Sequence, residues 1–124
     1  MADFLDISCE VAADLSAAQY HFVKISGADN RIVLCDSAGE EALGILQEAV
    51  DGSSDTKSAR VRVAGKSKIR LGNTVARGAP LQTAADGEGD TAAADDSVNG
   101  YLLESGVDQD IKHCVVGGRG EFQN

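Results

Sequence analysis

Over residues 59–71 the chain alternates with a period of two. Val61, Val63, Gly65, Ser67, Ile69 and Leu71 hold the odd positions; Arg60, Arg62, Ala64, Lys66, Lys68 and Arg70 hold the even ones. Successive side chains of a β-strand point to opposite faces, so the pattern predicts one apolar and one cationic face. The phase survives Gly65. A two-residue turn at Ala64-Gly65 would set Val63 opposite Lys66 and mix the faces. A three-residue loop, Ala64-Gly65-Lys66, sets Val63 opposite Ser67 and Val61 opposite Ile69. The stretch is therefore a hairpin with Gly65 left-handed or one long strand kinked there, and the hairpin is the expected form.

Shorter runs flank it. Strands are predicted at 20–25, 31–35, 42–47, 74–76, from Leu81, at 100–104 and at 111–116. Between them stand turn sequences such as Gly27-Ala28-Asp29-Asn30, Ser37-Ala38-Gly39, Gly72-Asn73, Gly78-Ala79-Pro80 and Asp86-Gly87. Residues 1–16 mix small apolar groups with acids and read as an arm, with Phe4, Leu5 and Ile7 as anchors. Residues 51–57 read as a polar surface loop. The acidic, Ala-rich stretch 86–96 reads as a mobile loop or a single helical turn. Gly117-Gly118-Arg119-Gly120 releases a tail whose anchor is Phe122. The division expected is an N-terminal arm over 1–14, a β-domain over 15–116 and a C-terminal tail over 117–124. One short internal repeat stands out: Gly44-Ile45-Leu46-Gln47-Glu48 matches Gly100-Tyr101-Leu102-Leu103-Glu104. Each copy reads as strand, acidic loop, strand, which suggests similar hairpins in related places of a barrel or sandwich.

Composition narrows the core. The 124 residues fit one domain, but 18 alanines inflate the 43% apolar fraction. With no Trp, 14 Gly and one Pro, short strands and glycine turns fit better than long helices. The core is modest for a monomer, so burial against partners is expected. The net charge of −9 disfavours nucleic acid or an anionic membrane as partner. Its distribution is uneven: residues 56–85 carry seven bases and no acid, and residues 86–110 carry eight acids and no base. The start of the chain carries acids where a signal peptide carries bases, and no apolar run is long enough to span a bilayer. Three cysteines, Cys9, Cys35 and Cys114, lack CxxC spacing and read as reduced, buried thiols.

No constellation reads as catalytic or as a cofactor site. His21 reads as a structural histidine between Tyr20 and Phe22. His113 and Cys114, adjacent on a strand, face opposite ways and cannot share an ion. Asp86, Glu88 and Asp90 alternate like a calcium loop, but no Gly follows the third acid and Ser97 stands where the closing carboxylate belongs. The Gly117–Gly120 run lacks the Lys-Ser/Thr of a phosphate loop. The cationic face remains. In the hairpin register Arg62 lies opposite Lys68 and Arg60 opposite Arg70, a repulsion that the acids of residues 86–110, in this chain or a neighbouring copy, are expected to offset. The candidate interface is Arg60, Arg62, Lys66, Lys68, Arg70 and Arg77, with Phe4 and Phe122.

Four ordered segments resemble the small capsid decoration (cement) proteins of tailed bacteriophages. They are Leu15-Ser16-Ala17-Ala18-Gln19-Tyr20-His21-Phe22-Val23-Lys24, Ala42-Leu43-Gly44-Ile45-Leu46-Gln47, Val61-Arg62-Val63-Ala64-Gly65 with Lys68-Ile69, and Ala76-Arg77-Gly78-Ala79-Pro80-Leu81 with Asp86-Gly87. Residues 100–116 are similar to the family's last strands but diverge in detail. Pro80 replaces a common acid, and the acidic stretch 86–96 and the tail also depart. The residues read together as an all-β single domain, a small barrel or sandwich with arms at both ends; the resemblance implies a compact β-domain on the outer surface of a virion capsid. It implies a non-enzymatic protein without cofactors, usually oligomeric and often a trimer, that clamps neighbouring major capsid protein subunits. A β-barrel binding module for a glycan or host protein is the alternative.

Overall fold

In a computed structural model, residues 4–122 are described, with side chains as far as Gly117. They form eleven strands and no helix: β1 (Phe4–Val11), β2 (Asp14–Leu15), β3 (Phe22–Ile25), β4 (Ile32–Leu34), β5 (Gly44–Leu46), β6 (Val50–Asp51), β7 (Lys57–Arg70), β8 (Pro80–Thr83), β9 (Gly89–Thr91), β10 (Ser97–Leu102) and β11 (Ile111–Phe122). The main sheet runs β4-β3-β5-β7-β11-β10-β8-β9, with β1 added to β7. Every pair in it is antiparallel. The all-β expectation holds.

The preferred hairpin does not. Residues 57–70 are one strand, bent at Gly65, whose φ of 96° lies in the left-handed region. Arg62 and Lys68, and Arg60 and Arg70, are therefore not cross-strand partners. The alternation survives the bend, with Ala59, Val61, Ser67 and Ile69 buried. The bend is marked: Tyr20 donates its N–H to Leu46, which pairs with Val61 before Gly65, and accepts the N–H of Arg70 beyond it.

Both arms are strands in the structure. Leu5, Ile7, Cys9 and Val11 alternate with Asp6, Ser8 and Glu10, and β1 pairs with β7 through Val11↔Lys57, Ile7↔Val61 and Asp6↔Arg62. The stretch expected as a tail continues β11, with Phe122 opposite Ser97 and a register shift beside Gly100. Segment 86–96 is neither a loop throughout nor a helical turn, because Gly89–Thr91 pairs with β8. Of the expected strand 74–76 only the Val75↔Gly106 bridge forms.

The short repeat in the sequence extends to the whole topology. β3, β4, β5 and β7 pair in the order 4-3-5-7, and β8, β9, β10 and β11 pair in the order 9-8-10-11. Registers match: Val23↔Gly44 with Leu81↔Gly100, Leu46↔Val61 with Leu102↔Cys114, and Ile25↔Ile32 with Thr83↔Gly89. Leu15↔Val50 matches Val75↔Gly106. The closures match too, since β1 meets β4 through Glu10↔Arg31 and the end of β7 meets β9 through Leu71↔Gly89. Each unit thus curls into a small barrel. β7 serves twice, its first half ending one unit and its second half opening the next.

The cores follow this plan. Val11, Leu15, Val23, Leu46 and Val61 lie in the first cluster; their counterparts Leu71, Val75, Leu81, Leu102 and Cys114 lie in the second. Phe22, Cys35, Ala42 and Ile45 join the second cluster from the first unit, so the units share a packed seam. Gly44 and Gly100 occupy equal places. A Cβ on either would strike the carbonyl of the adjacent strand, at Arg62 and Val115 respectively. Glu48 and Glu104 match as well, accepting the backbone N–H of Arg60 and of His113, each at 2.8 Å.

Candidate interaction surface

The bend in β7 gathers part of the cationic set around one cavity. Arg62, Lys66 and Lys68 line a space of about 260 Å³ together with Phe4, Tyr20, Gln47, Ser67 and His113. Arg62 is anchored. Its Nε and Nη2 donate to the Asp6 carboxylate at 2.7 and 3.0 Å, its Nη1 donates to the Lys66 carbonyl, and its guanidinium lies 3.6 Å from the Phe4 ring centroid. This fork-on-carboxylate geometry and the stacking fix the side chain. The Arg62 guanidinium in turn holds the Asp6 carboxyl below its ordinary range, against the opposing effect of burial. Lys68 stands 5.7 Å from the Tyr20 ring centroid. Neither Lys66 nor Lys68 forms an ion pair among the described residues, and both are exposed. The cavity mouth therefore carries uncompensated positive charge beside aromatic surface.

Among the described residues of this chain the bases of β7 pair with Asp6 and Glu48, and with no acid of residues 86–110. Arg60, exposed, lies 3.8 Å from Asp6 and 3.9 Å from Glu48. Arg70 faces elsewhere and donates to the Gln109 carbonyl at 3.0 Å. Arg77 is exposed on the loop before β8 and does not line the cavity. The Phe122 side chain lies outside the described residues. Sequence reasoning missed Tyr20, Gln47, Ser67 and His113, which line the cavity.

Arg70 borders a second, polar cavity of about 410 Å³ with Gln19, His21, Glu88 and Gln109. His21 is buried there; its Nδ1 lies 3.2 Å from the Gln19 carbonyl and its Nε2 4.0 Å from Glu88. Glu88 is also buried and accepts a hydrogen bond from Gln109 Nε2 at 2.8 Å. Burial raises its pKa, and Asp86 and Asp108 add to the rise while the Gln109 bond opposes it. A raised carboxylate pKa means that the ionised form costs stability above the folded pKa, a cost relieved as pH falls through it. Glu88→Gln is accordingly expected to raise Tm by ~2–5 °C at pH 7 and to lose that advantage in acid, as read by thermal unfolding against pH.

Among the described residues no three His, Cys, Asp or Glu side chains are grouped to hold a metal ion. Cys35 and Cys114 are buried, with thiols pushed up to about 12 by burial, and Cys9 is half-buried with its thiol raised by the same cause. None is poised as a thiolate nucleophile.

The fold and this surface define an all-β domain of two repeated units with a basic, aromatic-edged cavity at their shared strand. The fold is similar to the N base of the head fiber protein gp8.5 of bacteriophage phi29, with a TM-score of 0.73 and 15% sequence identity, covering 94% of this chain and 96% of that one. No protein-family model and no curated protein sequence matches the chain.

Proposed function

We propose that this protein is a non-enzymatic structural component of a phage virion. It binds the outer surface of an assembled head and stabilises contacts between major capsid protein subunits. The observation that carries this reading is the shared fold, over nearly the whole of both chains, with the base of a phage head fiber. The four ordered segments that resemble capsid decoration proteins support it independently. Binding only to the assembled shell stabilises that shell by about RT ln(1 + [L]/Kd) per site, summed over many sites. The cationic cavity around Lys66 and Lys68 supplies a contact for acidic groups of the shell, and copies associate with one another as a closed ring, a trimer above a dimer.

The test is to add purified protein to heads that lack it and to measure bound copies by quantitative gel analysis and cryo-electron microscopy. Saturable binding at a fixed copy number per head is expected. Lys66→Glu with Lys68→Glu should weaken it ~10-fold or more and reduce its salt dependence. Absence of binding to expanded heads overturns the capsid role; undiminished binding of the double variant removes the cavity from it.

A further inference from the structure

The two units do not treat each other alike. First-unit residues cover the seam where the second unit closes on itself. Gly39 N–H donates to the Thr83 carbonyl at 2.9 Å, Phe22 N–H to the Gly87 carbonyl at 2.7 Å, and Gln47 Nε2 to the Ser67 hydroxyl at 2.9 Å. Asn99 accepts the N–H of Ala42 and donates to the Glu40 carbonyl. Ser67, Thr83, Glu88 and Asn99 are consequently buried.

The matching seam of the first unit, between β1 and β4, is open. The counterparts of Ser67, Thr83, Glu88 and Asn99 there are Ile7, Ile25, Arg31 and Leu43. Together with Cys9 and Ile32 they border a groove of about 240 Å³. Ile7 is 37% and Ile25 58% exposed, and Arg31 Nε is buried without a hydrogen-bond partner. So the repeat places isoleucines on the uncovered seam where its covered twin has Ser67 and Thr83.

The covering face also has a counterpart. Gln47, Gly39 and Phe22 of the first unit correspond to Leu103, Asp95 and Pro80 of the second. Leu103 is 42% exposed, and Asp95 is exposed as well. The exchange is matched at its apolar pair: where Gln47 bonds Ser67 inside the chain, Leu103 would meet Ile7, while Pro80, which has no N–H, would replace the Phe22 hydrogen bond by apolar contact. Asp95 would approach the rim that carries Ile25 and Arg31, bringing an acid to an incompletely satisfied guanidinium.

We propose that the Leu103 face of a second copy of this chain covers the Ile7–Ile25 groove, repeating between molecules the contact that the first unit makes on the second within one. The contact is head-to-tail, because groove and cover lie on different units, and such contacts propagate into rings or chains. It concerns the free protein and stands whether or not the capsid is its partner.

Ile25→Glu and Leu103→Glu test it, since both positions are exposed and circular dichroism with thermal unfolding confirms that each variant folds. Light scattering coupled to gel filtration should find the wild type oligomeric at ~10–100 μM, and each variant monomeric, its Kd raised ~100-fold or more. An equimolar mixture of the two variants should regain a 1:1 dimer, because one copy keeps its groove and the other its cover. A monomeric wild type at ~100 μM overturns the proposal. So do variants that keep the wild-type mass, and so does a mixture that stays monomeric, which would point to a twofold contact or a different face.

Discussion

Gly44→Ala is expected to lower the stability of the protein by ~3 kcal/mol, and Gly100→Ala by nearly as much, the upper part of the range for overpacking. A methyl at Gly44 would fall on the Arg62 carbonyl oxygen, and one at Gly100 on the Val115 carbonyl at 2.5 Å. Neither obstacle is the tip of a flexible side chain. Each carbonyl belongs to a paired strand, so relief requires β5 to part from β7, or β10 from β11. The check is urea unfolding, where the midpoint should fall with an unchanged m-value. Gly27→Ala is the control: its Cβ meets nothing within 4 Å, and its effect should stay within ~0.5 kcal/mol. Loss of the same size at Gly27, or none at Gly44, would show that close approach is not what these glycines provide.

The second large effect is expected at Arg62. Its side chain and that of Asp6 are each 13% exposed, and removal of the guanidinium leaves the carboxylate largely enclosed, with Arg60 at 3.8 Å as its remaining cation. Loss of one partner of a buried pair costs ~3–5 kcal/mol; with this partial exposure and the remaining arginine, ~2 kcal/mol is expected for Arg62→Ala. The pH dependence fixes the cause. Because Arg62 depresses the folded-state pKa of Asp6, the stabilisation is complete above the unfolded carboxylate pKa and is lost as pH falls through the folded one. The gap between wild type and Arg62→Ala should therefore narrow between pH 5 and pH 2, within the ~pH 5–1 window over which such a pair titrates. A gap constant across that range would assign the effect to the Phe4 contact instead.

Much of the architecture is written in local patterns, and what is hidden depends on distance along the chain. The alternation over residues 59–71 gives the faces of β7 correctly because period two is a local property. Hairpin or kink was undecidable from alternation, since both keep Val61 and Ile69 on one face; the partners of β7 decide it, and they lie at residues 4–11, 45–46 and 111–116. β1 carries its own alternation from Leu5 to Val11, masked by the acids Asp6 and Glu10 and by the partial exposure of Leu5 and Ile7. The five-residue repeat at Gly44 and Gly100 was the visible tip of the duplication. Over the rest, Ser67 answers Ile7 and Glu88 answers Arg31, so identity is gone while the register remains. Of the candidate surface, Arg62, Lys66, Lys68 and Phe4 were legible as charge and aromatic anchors. Tyr20 and Gln47 were not, because they come to the cavity from other parts of the chain.

β7 belongs to both units, and this governs how the molecule yields. A domain built from two separate repeats can lose one and keep the other, with two melting steps. Here the strand that completes the first barrel continues into the strand that opens the second, and Phe22 and Ile45 lie in the second unit's core. Neither barrel has a complete core boundary without the other. Tension applied along β7, from its Lys57 end to its Arg70 end, is borne by the pairing with β1 and β11 in shear, the loading direction in which many hydrogen bonds must break together. The shared strand makes the protein a single mechanical element.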